Sequence, residues 1–126
     1  MPTVRIDLSN ISAQSATNER TASYAKGTGT PSWATVGSTG DINLSNPPQA
    51  NLAVNLEFDL PAGYTFASTG AFTTNPASAD FEVVSGAGTS TLTVSDSNND
   101  ATVGTQYDYT LHLSDGTFID PKVINY

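Results

Sequence analysis

The chain has 126 residues, the length of one ordinary domain, and its twelve acidic side chains against four Lys and Arg give a formal net charge of −8. This charge repels phosphate backbones and anionic lipids, so we expect neither nucleic acid nor a membrane as a partner, and the lack of cysteine excludes disulfides and thiolate metal sites. No apolar run reaches the length of a membrane span, and the N-terminal residues lack a signal-peptide hydrophobic region, so we expect a cytoplasmic protein.

The first predicted strand lies close to the N-terminus. Val4, Ile6 and Leu8 alternate with polar residues, which is the period of a half-buried strand. Residues 9–41 lose this alternation and are rich in Ser, Thr, Gly and Ala.

Structureless segments of this length are unusual in a compact domain. We therefore expect one or two short strands in that region, near Thr21–Ala25 and Ser32–Val36. A short helix within residues 11–20 is the alternative.

The strongest strand signal lies in the middle of the chain. A preceding strand starts at Ile42 and is stopped by Asn46-Pro47-Pro48, because proline cannot donate to a strand ladder. The apolar face of the central strand consists of Leu52, Val54, Leu56, Phe58 and Leu60. Its polar face includes Asn55, Glu57 and Asp59. Further short strands are expected around residues 64–66, 81–83 and 92–94.

The C-terminal segment has the pattern of a β-hairpin. Tyr107, Tyr109, Leu111 and Leu113 alternate with polar residues, and Asp115-Gly116 is a turn signal. The strand after this turn contains Pro121, which predicts that the C-terminus lies at a sheet edge.

Together these signals predict an all-β fold. Short strands separated by turn residues, with no 3.6-residue periodicity, are typical of an antiparallel sandwich. We expect a single immunoglobulin-like antiparallel β-sandwich over residues 1–126, with about seven to nine strands.

Two segments resemble known architectures. The segment Asp100–Tyr109 resembles the corner before the sixth strand of immunoglobulin-like domains, and this resemblance implies that Tyr107 is the corner tyrosine. The ending Asp120-Pro121-Lys122-Val123-Ile124-Asn125 resembles the terminus of a small bacterial β-sandwich family known for its Asp-Pro and Glu-Pro signatures. That second resemblance implies no activity.

His112 is the only histidine. Strand parity places it with Asp108, Thr110 and Ser114, opposite the apolar side chains of the same strand. No Gly-x-Ser-x-Gly elbow accompanies it, so we expect a solvent-facing histidine and no catalytic role.

Three polar residues of the central strand are a candidate ligand-binding surface. If that strand neighbours the one with Asp108 and His112, then Asn55, Glu57 and Asp59 complete an acidic, amide-rich outer face that recognises a polar or cationic partner. Paired carboxylates also serve in glycoside hydrolysis, but an open sheet face does not desolvate a carboxyl group. We expect a solvated face that keeps the protein soluble.

Asp96, Asn98 and Asp100 have the spacing of the first oxygen ligands in a calcium loop. The match ends there, because Ala101 stands where an EF-hand has glycine and Tyr107 where it has glutamate. We expect a plain Asn/Asp turn, with a calcium ion as the alternative.

Trp33, the only tryptophan, stands among Gly, Thr, Pro and Ser. We expect its ring to cover one end of the core. The alternative is an exposed ring that stacks on a sugar or anchors in a partner's pocket.

These observations predict a non-enzymatic interaction or structural module without a cofactor, whose partner is an unidentified protein or glycan. One alternative is a carbohydrate-binding module that uses Trp33, Tyr64 and Tyr24 for stacking. A second is a small hydrolase with Glu57 or Asp59 near His112. A third is a self-assembling phage or secretion-apparatus component whose Pro121 edge and N-terminal strand pair between subunits.

Overall fold

Every regular element in the computed structural model is a β-strand, within the residues that the structure describes: 1–44, 52–97, 106–120 and, for the backbone alone, 124–125. In chain order these strands are β1 (Thr3–Ser9), β2 (Glu19–Arg20), β3 (Ser23–Lys26), β4 (Thr35–Val36), β5 (Ile42–Asn43), β6 (Val54–Asp59), β7 (Phe72–Asn75), β8 (Phe81–Ser85), β9 (Thr91–Asp96), β10 (Gln106–His112), β11 (Phe118–Ile119) and β12 (Ile124–Asn125).

The strands form two layers. One sheet has the order β3-β1-β6-β9-β8. The other has the order β2-β11-β10-β12-β5-β4, and β7 also pairs with β10. The all-β sandwich architecture expected from the sequence is therefore confirmed.

The core lies between the two layers. Phe58 of β6 packs against Tyr109 of β10 with ring centroids 5.6 Å apart, and both side chains are fully buried. Phe72 of β7 contacts both rings, at 5.9 Å from Phe58 and 5.7 Å from Tyr109. Burial alternates along β1, β6 and β10 as the sequence pattern predicts.

Strand direction differs from the prediction. Three strand pairs are parallel, namely β1 with β6, β2 with β11, and β5 with β12, so a purely antiparallel sandwich is wrong. Sequence alternation specifies which face of a strand is buried but not which strand it pairs with, so it holds no information on direction.

The number of strands in the described ranges, twelve, also exceeds the seven to nine predicted. Five of them, β2, β4, β5, β11 and β12, have only two residues each, which is too short for a visible alternation.

The region without alternation, residues 9–41, contains turns and short strands. The predicted strands near residues 21–25 and 32–36 correspond to β3 and β4. A helix within residues 11–20 is wrong, because this segment contains a turn and the whole of β2. Farther on, the strand expected from Ile42 is β5, and its proline stop lies outside the described residues.

The predicted hairpin is confirmed. Leu113 donates its N–H to the carbonyl oxygen of Thr117 at 2.9 Å, and Gly116 has a φ of 85°, in the left-handed region that favours glycine. The Asp115 carboxylate accepts hydrogen bonds from the hydroxyl and N–H of Thr117, which, together with Arg20, lower its pKa.

The predicted edge position of the C-terminal strand is wrong. The last strand, β12, lies between β10 and β5, because β11 pairs only with the far end of β10 and leaves the Gln106–Tyr107 end for β12. The N-terminal strand β1 is paired on both sides, by β3 and β6, so it offers no free edge of the kind that the self-assembly alternative would use. Pro121 lies outside the described residues.

Candidate functional site

The predicted polar surface is divided between two opposite faces of the sandwich. Glu57 and Asp59 belong to β6, whereas Asp108 and His112 belong to β10 in the other sheet. Residues that alternate with inward-facing Phe58 or Tyr109 point away from the core on their own side. The two strands are not neighbours, so the condition for one shared polar face is not met, and a hydrolase site in which Glu57 or Asp59 reaches His112 is wrong.

On the outer face of the five-stranded sheet, the predicted carboxylates contact neighbouring strands. Arg5 of β1 forms an ion pair with Glu57 through Nη1 and Oε2. Thr91 of β9 donates its hydroxyl to Asp59 Oδ1 at 2.8 Å. Asn55 lies in the same row, opposite Ser95.

Asp7 of β1 lies directly opposite Asp59. Its pKa is raised by desolvation, and further by the charge of Asp59 and the hydrogen bond between the two carboxyl groups. The face is polar, as predicted, and its charges interact chiefly with one another.

On the outer face of the other sheet, His112 is half-buried and its Nε2 lies 3.0 Å from Thr73 Oγ1. Its ring centroid is 6.4 Å from that of Phe118. Asp108 is exposed, and Thr110 donates its hydroxyl to Asp120 Oδ1 at 3.1 Å. The outward orientation predicted for His112 is confirmed.

Only one predicted calcium ligand falls within the described residues. Asp96 is the last residue of β9 and is fully buried, opposite Val54 and Phe81, so it belongs to the strand and not to the polar loop after it. Asn98 and Asp100 lie outside the described residues. Across the part of the chain that the structure describes, there is no group of three or more His, Asp or Glu side chains arranged to hold a metal ion.

The three aromatic residues proposed for sugar stacking have different environments. Trp33 is half-buried and packs against the core, as its preferred interpretation predicts. Tyr64 lies beneath the guanidinium of Arg20, whose Cζ is 5.6 Å from the ring centroid. Tyr24 is buried opposite Leu8.

Tyr107 is buried and contacts Phe81 edge-on at 5.2 Å between ring centroids. Its predicted role as a corner tyrosine involves residues 98–105, which lie outside the described residues, so this role stays a prediction.

A cavity beside Tyr24 was not predicted from the sequence. We call it the Tyr24 groove; its volume is about 270 Å³. Its polar lining residues are Glu19, Arg20, Tyr24, Ser38, Thr39 and Asp120. They come from β2, β3, the turn between β4 and β5, and the residue that follows β11.

Arg20 holds one wall of the groove in place through three hydrogen bonds. Its Nε donates to Thr117 Oγ1 at 2.9 Å, its Nη1 to the carbonyl oxygen of Ser12 at 2.8 Å, and its Nη2 to Asp115 Oδ2 at 2.9 Å. The positive charge of Arg20 is thereby directed at Asp115 and the Tyr64 ring.

Tyr24 is the most informative residue of the groove. Tyr24 is only 7% exposed, and within the described ranges its hydroxyl has no protein hydrogen-bond partner, but the hydroxyl oxygen reaches solvent at the groove. Burial raises the pKa of Tyr24, and the negative charge of Asp120 raises it further. By contrast, the hydroxyl of buried Tyr109 donates to the carbonyl oxygen of Gly40 at 2.6 Å.

The sequence holds little signal for this groove. Tyr24 lies in the region without alternation, and residues 19–24, 38–39 and 119–120 are brought together only by the pairing of β2 with β11 and by a hydrogen bond from Tyr24 N–H to the Ser38 carbonyl oxygen.

We expect Arg20→Met to lower the free energy of unfolding by about 1–3 kcal/mol, because the apolar stem is kept while the Thr117, Ser12 and Asp115 contacts are lost. Chemical denaturation measures this change. Lys26→Met, which removes an exposed charge on β3, is the matched control and should change stability by less than about 0.5 kcal/mol. Equal effects of the two substitutions would contradict the role of Arg20.

The fold and the groove define an all-β sandwich with a small polar groove at one side. No protein-family model, curated protein or solved structure matches the chain. Within the described residues, no helix combines the length and apolar composition needed to cross a membrane.

Proposed function

We propose that the protein is a non-enzymatic binding module that takes up a small ligand in the Tyr24 groove. The observation that carries the proposal is the Tyr24 hydroxyl, which belongs to a side chain more than nine-tenths buried and lines the groove without a protein partner among the described residues. The hydroxyl oxygen is not enclosed by protein atoms, so it is open to a hydrogen bond from outside the protein. A ligand polar group in the groove would supply that bond.

The composition of the groove supports binding. A few convergent polar groups, here Tyr24, Ser38, Thr39 and Asp120, accompany the apolar side chain of Ile119. This combination is typical of ligand sites, in which apolar contacts contribute area and polar groups fix orientation. The volume is slightly below the roughly 300–1,000 Å³ of pockets for drug-sized molecules, which favours a small ligand.

The position of the only histidine supports a non-catalytic role. His112 lies on the outer face of β10 with its Nε2 at Thr73, and the polar groups of the groove do not include it. A general base must come within hydrogen-bonding reach of the proton that it removes, directly or through one water.

An immunoglobulin-like arrangement is part of the same proposal. The strand orders are similar to those of such domains. The order β1-β6-β9-β8 in one sheet corresponds to A-B-E-D, and the order β7-β10-β11 in the other corresponds to C-F-G. Membership of the Asp-Pro and Glu-Pro family is likewise proposed from the C-terminal resemblance alone. Neither assigns a ligand, since fold does not determine function.

The test is a protein-observed NMR screen with small cationic, neutral and anionic compounds. We expect at least one class to shift the amide signals of the groove residues saturably. Tyr24→Phe, which keeps the ring and removes the hydroxyl, should weaken that binding about tenfold.

Tyr64→Phe is the matched control, since it removes a tyrosine hydroxyl outside the groove lining. It should leave the affinity unchanged. If no compound class shifts the groove signals, or if shifts are confined to the two outer sheet faces, the proposal is wrong.

A further inference from the structure

We infer that the Tyr24 groove recognises a ligand that presents a primary ammonium group. This inference rests on the proposed function and adds the chemical class of the ligand. It follows from the sign of the charges that line the groove, the hydrogen-bond acceptors that they offer, and the engagement of the one nearby cation elsewhere.

Two carboxylates, Glu19 and Asp120, line the groove and are exposed to it or to solvent. Among the described residues, the ion pairs are Arg5 with Glu57 and Arg20 with Asp115, so neither groove carboxylate is neutralised by a basic side chain there. Asp120 accepts one hydrogen bond, from Thr110, and a carboxylate has about four acceptor positions. The groove therefore offers two charged acceptors to a donor.

The nearby guanidinium of Arg20 does not make the charge of the groove positive. Arg20 donates from Nη2 to Asp115 and packs over Tyr64, and its side chain is 12% exposed. Its charge is thus already compensated by a carboxylate that does not line the groove.

The raised pKa of Tyr24 shows that the charge of Asp120 acts on the Tyr24 hydroxyl. After burial, the second cause of its raised pKa is the charge of Asp120. The field that disfavours a phenolate at this position favours a cation there. The net charge of the whole chain, −8, acts in the same direction by attracting cations and repelling anions.

An ammonium group matches the hydrogen-bond acceptors that line the groove. It has three donors and no acceptor. The residues that line the groove include acceptors for such donors, namely the Tyr24 hydroxyl oxygen, the Asp120 carboxylate and the Ser38 or Thr39 hydroxyl. The side chains of Ala22 and Ile119 provide an apolar surface for a short alkyl chain attached to the ammonium.

A neutral polyol would satisfy hydroxyl groups but leave both carboxylates without an opposite charge. A divalent metal ion is less suited, since the described residues contain no group of three or more acidic or histidine side chains for its coordination. An alkyl ammonium meets both the charge and the hydrogen-bond requirement.

The experiment compares three five-carbon probes of matched length by NMR titration: cadaverine, pentanediol and glutarate. We expect cadaverine to shift the groove amides saturably, and the other two to leave them unchanged. Raising the salt concentration to about 0.15 M should weaken cadaverine binding, because the interaction is between charges.

Asp120→Asn removes one groove charge while keeping an oxygen for Thr110, and it should weaken cadaverine binding about tenfold. Glu82→Gln, on the exposed surface of β8, is the matched control for net charge and should leave the affinity unchanged. If both substitutions have the same effect, or if pentanediol binds as tightly as cadaverine, the inference is wrong.

The outcomes separate the inference from the proposed function. Groove shifts with pentanediol or glutarate, but not with cadaverine, overturn the ammonium inference and leave a binding groove. No shift with any of these probes, or with the wider compound screen, overturns both. Nα-acetyl-lysine methylamide tests the source of the group: tighter binding than cadaverine supports a lysine side chain of a partner as the ammonium donor, and weaker binding supports a free amine.

Discussion

Replacing Phe58 by alanine is expected to lower the free energy of unfolding by about 3–5 kcal/mol. Phe58 is fully buried in the middle of β6, and its ring contacts Phe72 and Tyr109 from the opposite sheet. Truncation removes these contacts and leaves a cavity between the two layers, which surrounding side chains fill only partly. For a domain with about 5–15 kcal/mol of total stability, this loss is a large fraction.

Urea denaturation of the two proteins measures the difference. Val84→Ala is the control, since Val84 lies on β8 and is 51% exposed, and it should change the free energy of unfolding by less than about 0.5 kcal/mol. A loss for Phe58→Ala as small as that of the control would contradict the packing of the two sheets through this ring.

The second large effect is expected for Gly86→Ala, with a destabilisation of about 2–4 kcal/mol. Gly86 follows β8 in the turn to β9 and has a φ of 88°. A Cβ at this position would overlap the carbonyl oxygen of Thr91, which is backbone and cannot rotate away. The turn would have to move, together with the hydrogen bond from Thr89 N–H to the Gly86 carbonyl oxygen.

Gly63→Ala separates the two causes of destabilisation, which are the positive φ and the overlap of the new Cβ with Thr91. Gly63 has a similar φ of 93°, but a Cβ there would meet nothing within 4 Å. This control should therefore cost only the strain of a left-handed alanine, about 1 kcal/mol. Thermal unfolding of both variants measures the contrast, and equal losses would show that the overlap with Thr91 is relieved without cost.

Several features of the fold could be predicted from local pattern. The inward residues of β6 and β10, the outward orientation of His112 and the Asp115-Gly116 hairpin are all confirmed. In each case the information is local, because side-chain direction alternates along a strand and a tight turn requires particular residues.

The candidate surface of Asn55, Glu57, Asp59, Asp108 and His112 required more than local pattern. It depended on β6 and β10 being neighbours in one sheet, whereas they face each other across the core. Two strands with the same alternation are equally able to pair side by side or to pack face to face. No local sequence pattern distinguishes side-by-side pairing from face-to-face packing.

The Tyr24 groove could be predicted even less from local sequence patterns. Its walls come from segments about a hundred residues apart in the chain, such as Glu19 and Asp120, and two of its strands have only two residues each. The individual side chains are unremarkable for a polar loop region. Only their common position around the Tyr24 hydroxyl indicates a ligand site.

By itself, the sequence determined that this protein is an all-β sandwich, which residues of its long strands are buried, and that its surface is strongly acidic. These properties follow from residue composition and from the two-residue period of a strand. The tertiary structure alone decided strand partners and direction, the interior position of β12, the separation of the two polar faces and the existence of the Tyr24 groove. The physical reason is that these features depend on contacts between distant segments, whose free energies local sequence patterns do not encode.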